Sequence, residues 1–99
     1  MKDFEKAQKL NPAFLEPYIN QAIVYLDYID VPPAAFFILK DAADIAPKSA
    51  EVCFHLGRAL FKLKDYRQAA DMFSKAIFHN PDYEEIVRET LAGLQKKGQ

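Results

Sequence analysis

Shifted against itself by 34 residues, this chain meets its own pattern. Leu26 falls on Leu60, Ala35 on Ala69, Leu39 on Phe73, Ala42 on Ala76 and Pro47 on Pro81. Small residues meet small ones and large meet large, so the echo is more than a shared apolar rhythm. A fixed period of this length means a unit that cannot bury its apolar face alone and has to stack on copies of itself. The clearest copy runs from Ala50 to Pro81, where two amphipathic helical patterns meet at the polar turn Lys62 to Asp65.

The rest of the chain repeats that design. Met1 to Leu10 reads as a short helix with Phe4, Ala7 and Leu10 on one face, ended by Asn11-Pro12. Phe14 to about Tyr28 is the next helix, with Pro17 in its first turn. It is apolar on two sides: Tyr18, Ala22, Tyr25 and Ile29 form one row, and Ile19, Ile23 and Leu26 a second. Such a helix has a neighbour on each side, or offers one side as a binding surface. After the turn Asp30-Val31-Pro32-Pro33, a helix from Ala34 to about Ile45 turns Ala35, Ile38, Leu39 and Ala42 inward, and Pro47 closes it. Ser49 caps the following helix, whose core stripe is Val52, Cys53, Leu56, Ala59, Leu60 and Leu63. Gly57 sits inside it, where glycine costs about 1 kcal/mol against alanine, so another backbone is expected to pack closely there. Asp65 and Gln68 form a capping pair for a helix that buries Tyr66, Ala69, Ala70, Phe73, Ala76 and Ile77. Asp82 and Glu85 repeat that spacing before a last stripe of Tyr83, Ile86, Val87, Thr90, Leu91 and Leu94. No window holds a two-residue alternation, so the expectation is six helices, the first of them truncated.

Composition narrows what such a chain does. With 13 basic and 14 acidic residues the net charge is −1, which gives no field to attract nucleic acid or an anionic membrane. The longest apolar run, Val31 to Leu39, is nine residues with two prolines and is too short to span a bilayer. The N-terminus carries charges where a signal peptide needs an apolar run. One cysteine, Cys53, excludes an intramolecular disulfide and a multi-thiolate metal site. Together these favour a cytoplasmic compartment.

Cys53, Leu56, Gly57, Leu60, Ala69, Phe73, Ala76 and Pro81, with Tyr66 opening the second helix, match the motif places of one repeat family. The chain resembles a tetratricopeptide repeat protein. The upstream unit places Tyr18, Gln21, Ala22, Tyr25, Ala35, Leu39, Ala42 and Pro47 at those positions, with one extra residue assigned to its inter-helix turn at Val31-Pro32-Pro33. Gln21 and Leu39 are off pattern, and Cys53 replaces a bulky aromatic. Phe4, Ala7 and Pro12 match the tail of a still earlier unit. The resemblance implies an all-α, right-handed solenoid of antiparallel helix pairs: a partial repeat at 1–12, repeats at 13–48 and 49–82, and a closing helix at 83–97. The truncated first unit points to an excised segment of a longer array, since terminal repeats need polar outer faces.

Members of this family generally bind peptides or partner helices in a concave groove lined by the first helix of each unit. By that resemblance the groove here takes Ile19, Asn20, Ile23, Leu26 and Asp27 from one unit. The next adds Phe54, His55, Arg58, Phe61 and Lys62, and the closing helix adds Arg88 and Glu89. Ile19, Ile23, Leu26, Phe54 and Phe61 are expected as an exposed apolar strip, with Arg58 and Lys62 as a cationic edge. Such a patch marks an interaction site, and Phe54→Ala is then expected to leave stability nearly intact. One variant of the family clamps a peptide carboxylate with Lys, Asn and Arg. Ile19 and Ile23 occupy two of those places here, and Glu85 and Glu89 stand where basic residues are wanted. The function implied is protein–protein interaction as a scaffold or adaptor. The alternative is an assembly element that self-associates through that groove or the repeat ends, or docks on the rest of a longer repeat protein.

The residues give no competing chemistry. His55 and His79 lie on different helices, neither with a second ligand three or four residues on, so no metal or other cofactor is expected. Cys53 and His55, two apart on a helix, face different ways and make no nucleophile pair. Asp41 with Asp44 and Glu84 with Glu85 read as solvated faces or caps without the burial that tunes a general acid. The three glycines are isolated and form no phosphate loop. No enzymatic activity is expected.

Overall fold

The computed structural model describes residues 15–97. The expected first helix and the partial repeat at 1–12, with Phe14 and the side chain of Leu94, lie outside the described residues. Five helices follow one another: α1 (Glu16–Ile23), continued by a π-helical stretch (Val24–Tyr28), α2 (Pro32–Ile45), α3 (Ala50–Lys62), α4 (Tyr66–His79) and α5 (Tyr83–Lys97). No strand occurs among the described residues, and the fold is all-α.

The ends of these helices follow from their sequence. Prolines occupy the first turns of α1 and α2, where an amide hydrogen has no intrahelical partner. The Ser49 side chain accepts a hydrogen bond from the Val52 amide at 3.3 Å. Asp65 accepts from the Gln68 amide at 3.3 Å while the Gln68 side chain donates back to it at 2.8 Å. The turn into α5 is closed by Asn80, whose side chain accepts from the Asp82 amide.

The 34-residue echo becomes a structural equivalence. Leu26 and Leu60, Ala35 and Ala69, Leu39 and Phe73, and Ala42 and Ala76 are all buried in matching places. Asp30 and Lys64, also 34 apart, are the two non-glycine residues with positive φ among those described, at 62° and 68°. Each ends the first helix of its pair in the left-handed conformation, which costs an L-residue about 1–2 kcal/mol. Asp tolerates that place better than Lys. Lys64→Gly is therefore expected to raise unfolding stability by about 1 kcal/mol; an unchanged denaturant midpoint would contradict the strain.

That equivalence moves the extra residue of the upstream unit. The sequence pattern assigns it to the turn at Val31-Pro32-Pro33. The turn keeps phase with its mate, and the surplus lies within the helix instead. Ala22 and Gly57 are buried counterparts, yet eight residues separate Ala22 from Asp30 and seven separate Gly57 from Lys64. The Ile29 amide donates to the carbonyl five residues back, Val24, whereas Leu63 donates four back to Ala59. Val31 reaches six back to Tyr25, where Asp65 reaches five back to Leu60.

Helix α3 is the centre of the fold. It packs on α4, α2, α1 and α5, and every residue from Val52 to Gly57 is buried. Over that stretch α3 has no free face, while Arg58, Phe61 and Lys62 further along are half-buried. The main core joins Ala22, Leu26, Leu39, Phe54, Leu60 and Phe73 across four helices, with Val87 from α5. A second cluster joins Leu15, Ile19, Ala42, Ala46 and Val52. Some expected core positions lie outward: Ile29, Leu63, Tyr66 and Ile86 are exposed.

The close approach at Gly57 is to a side chain. A β-carbon added there would lie 2.9 Å from two atoms of the Phe73 ring, itself buried. Gly57→Leu therefore forces that ring aside, and an overpacking cost of about 1–3 kcal/mol is expected. Equal melting temperatures for the two proteins would refute the contact.

Candidate partner-binding face

The expected groove residues fall into three groups. Ile19, Phe54 and Leu26 are core residues, exposed 5%, 8% and 1%, and the predicted apolar strip is not there. The reason is that α3 is covered on every side from Val52 to Gly57. The Phe54 ring lies 6.0 Å from that of Phe73 on α4 and 5.5 Å from that of Tyr83 on α5. Ile19 is drawn into the second cluster against Ala42, Ala46 and Val52. The inward stripe of α1 is thus Leu15, Ile19, Ala22 and Leu26, which takes members from both apolar rows.

The second group comes together as a polar network between α1 and α3. Arg58 Nη2 donates to Asp27 Oδ1 at 2.5 Å, and Arg58 Nη1 lies 3.2 Å from His55 Nδ1. A guanidinium has no acceptor, so His55 accepts at Nδ1 and carries its ring hydrogen on Nε2. His55 is 9% exposed. Burial, then the Arg58 charge, pull its pKa down to about 4 from 6.5, against a smaller upward pull from Asp27. Lys62 Nζ donates to the Leu26 carbonyl at 2.6 Å and lies 3.7 Å from Asp30. The expected cationic edge is therefore engaged within the fold: Arg58 and Lys62 tie the first helices of two successive units together. Asn20 and Asp27 are exposed, and Ile23 is half-buried.

The remaining residues lie elsewhere. Phe61 turns toward α4, its ring 5.0 Å from that of Tyr66. It lines an apolar cleft of about 280 Å³ between α4 and α5, with Phe73, Ile77, Val87 and Leu91. Arg88 pairs with Glu84 at 3.1 Å on the exposed surface of α5, and Glu89 is exposed on the same helix. The Asp27–Arg58 link was not visible in the sequence, because two residues 31 apart share no helical spacing.

Chemistry at Cys53 is suppressed by its place. The thiol is buried and free, and it donates to the Pro47 carbonyl at 4.0 Å. Burial raises its pKa, with Lys75 a smaller opposing influence. Among the described residues, no three His, Cys, Asp or Glu side chains cluster to hold a metal ion. No helix among them is long and apolar enough to cross a membrane.

A tetratricopeptide repeat family model matches residues 32–94, and the chain belongs to that family. The match begins at Pro32, just past the π-helical stretch, and takes in α2, α3, α4 and most of α5. Tetratricopeptide repeats are generally protein–protein interaction modules, and the family is typically non-enzymatic. Comparison with curated proteins and with solved structures gives no match.

Proposed function

We propose that this chain is a scaffold or adaptor module that docks a peptide or helix of a partner protein along the face made by α1 and α3. The observation that supports this reading is the Asp27–Arg58–His55 network with the Lys62–Leu26 link. It holds two successive first helices side by side, which preorganises one continuous surface. Asn20, Ile23, Asp27, Arg58 and Lys62 make that surface, with Ile19, Phe54 and His55 as the buried support beneath it. Its mixed charge suits a polar partner segment with a small apolar anchor at Ile23.

The test is site-specific photo-crosslinking in source lysate, with the probe at Asn20 on this face or at Phe78. Phe78 is 82% exposed on α4. A discrete adduct from Asn20 and none from Phe78 is expected. Adducts from Phe78 alone would discard the face.

The second reading is an assembly element, favoured by the apolar cleft between α4 and α5. It requires a mass that rises with concentration in sedimentation, which the first reading does not.

A further inference from the structure

The π-helical stretch and its fastening carry an inference independent of any partner. We infer that the π-helical stretch takes up the one-residue difference between the Ala22–Asp30 and Gly57–Lys64 spacings, and that Lys62, reaching over from α3, is the positioning residue that keeps this surplus within Val24–Tyr28. The register difference described above shows the surplus. The fastening follows from what the surplus does to the backbone.

Opening a helix by one residue leaves a carbonyl without its usual donor. Here it is Leu26. Its counterpart Leu60 accepts from the Asp65 amide, but the equivalent donor, Val31, bonds to Tyr25. The hydrogen bond that the Leu26 carbonyl accepts, among the described residues, comes from Lys62 Nζ at 2.6 Å. Leu26 is 1% exposed, so water does not readily replace that donor. A buried carbonyl without a partner is costly, and a charge-assisted bond from an ammonium is a strong substitute. Arg58 holds the next residue, Asp27, from the same side.

The alternative to a π turn is an unbroken α-helix. One residue in an α-helix is about 100° of rotation. Ile19, Ala22 and Leu26 lie three and four apart, so an unbroken helix would keep them on one face but would push a residue into the turn and displace Asp30. The π turn is therefore what keeps Asp30 at the place equivalent to Lys64 while Ile19, Ala22 and Leu26 stay inward. It also sets the phase between Asn20 and Ile23 before it and Asp27 within it.

The test separates a carbonyl fastening from an ordinary surface ion pair. Lys62→Met is expected to speed amide exchange of residues 27–31 at least tenfold, with Phe73 and Ala76 on α4 far less affected. Asp30→Asn, which removes the exposed partner and keeps a residue that accepts positive φ, is expected to match the wild type. Deleting Val24 removes the surplus, and Lys62→Met in that background is expected to lose its effect on melting temperature. The inference is overturned by uniform exchange acceleration in Lys62→Met, by Asp30→Asn reproducing it, or by an equal melting shift with and without Val24. If the deletion variant does not fold, the exchange comparison decides alone.

Discussion

Phe54→Ala is expected to destabilise the fold by about 3–5 kcal/mol, the scale of truncating a phenylalanine that cannot be replaced by collapse of its surroundings. The side chain is 8% exposed and its ring touches those of Phe73 on α4 and Tyr83 on α5. Removing it leaves a hole where three helices meet. The structure thus reverses the outcome expected from a groove residue. It also predicts an order of loss: α5 makes few contacts beyond this junction, so its amides should lose protection before those of α2 and α3. Urea unfolding of the two proteins gives the magnitude, and native-state exchange gives the order. A change below about 1 kcal/mol would place Phe54 at a surface after all. Because single domains hold only about 5–15 kcal/mol in total, the variant should be compared at low temperature, where a folded baseline survives.

Most of the fold could be read from residue order because its determinants are local. Pro17, Ser49 and Asp65 mark helix starts by what they do to nearby backbone groups, and the alanines at 35, 42, 69 and 76 mark where two helices come close. The candidate face was less legible. Whether Phe54 lies in a groove or a core depends on what covers α3, and nothing in its own periodicity says that α5 lays Tyr83 across it. Ile19 was ambiguous for a related reason. Two apolar rows on α1 allow two inward stripes, and the stripe that is buried, Leu15, Ile19, Ala22 and Leu26, runs between them at spacings of four, three and four. The one-residue mismatch between units was visible. A turn holding Val31, Pro32 and Pro33 was the natural place for it, because loops absorb insertions easily. The left-handed Asp30 and Lys64, held in equivalent positions, are what moved it into the helix. Arg58 and Lys62 stand one turn apart in the sequence, but long cationic side chains reach far, and their targets Asp27 and Leu26 lie on another helix.

Those same contacts make acid a specific perturbant. His55 faces Arg58 on its own helix and, through Arg58, Asp27 on α1, with the Phe54 ring 5.1 Å away. Burial and the Arg58 charge disfavour its imidazolium, so its pKa is about 4 in the fold against 6.5 in the free chain. Between those values the unfolded chain binds a proton that the folded one does not. Stability is therefore complete above about pH 6.5 and falls as the pH drops toward 4, by about 1.4 kcal/mol per pH unit at most from this group. Across the whole window the loss is on the order of 3 kcal/mol. A protonated ring would also have no lone pair at Nδ1 for Arg58, so the Asp27–Arg58 link should loosen as the charge appears. His55→Gln removes the titration while leaving a side chain that can accept at a similar distance. The measurement is unfolding free energy for both proteins from pH 7 to pH 4. The wild type should fall more steeply by about one proton's worth of slope, and parallel curves would mean that His55 is charged as readily in the fold as outside it.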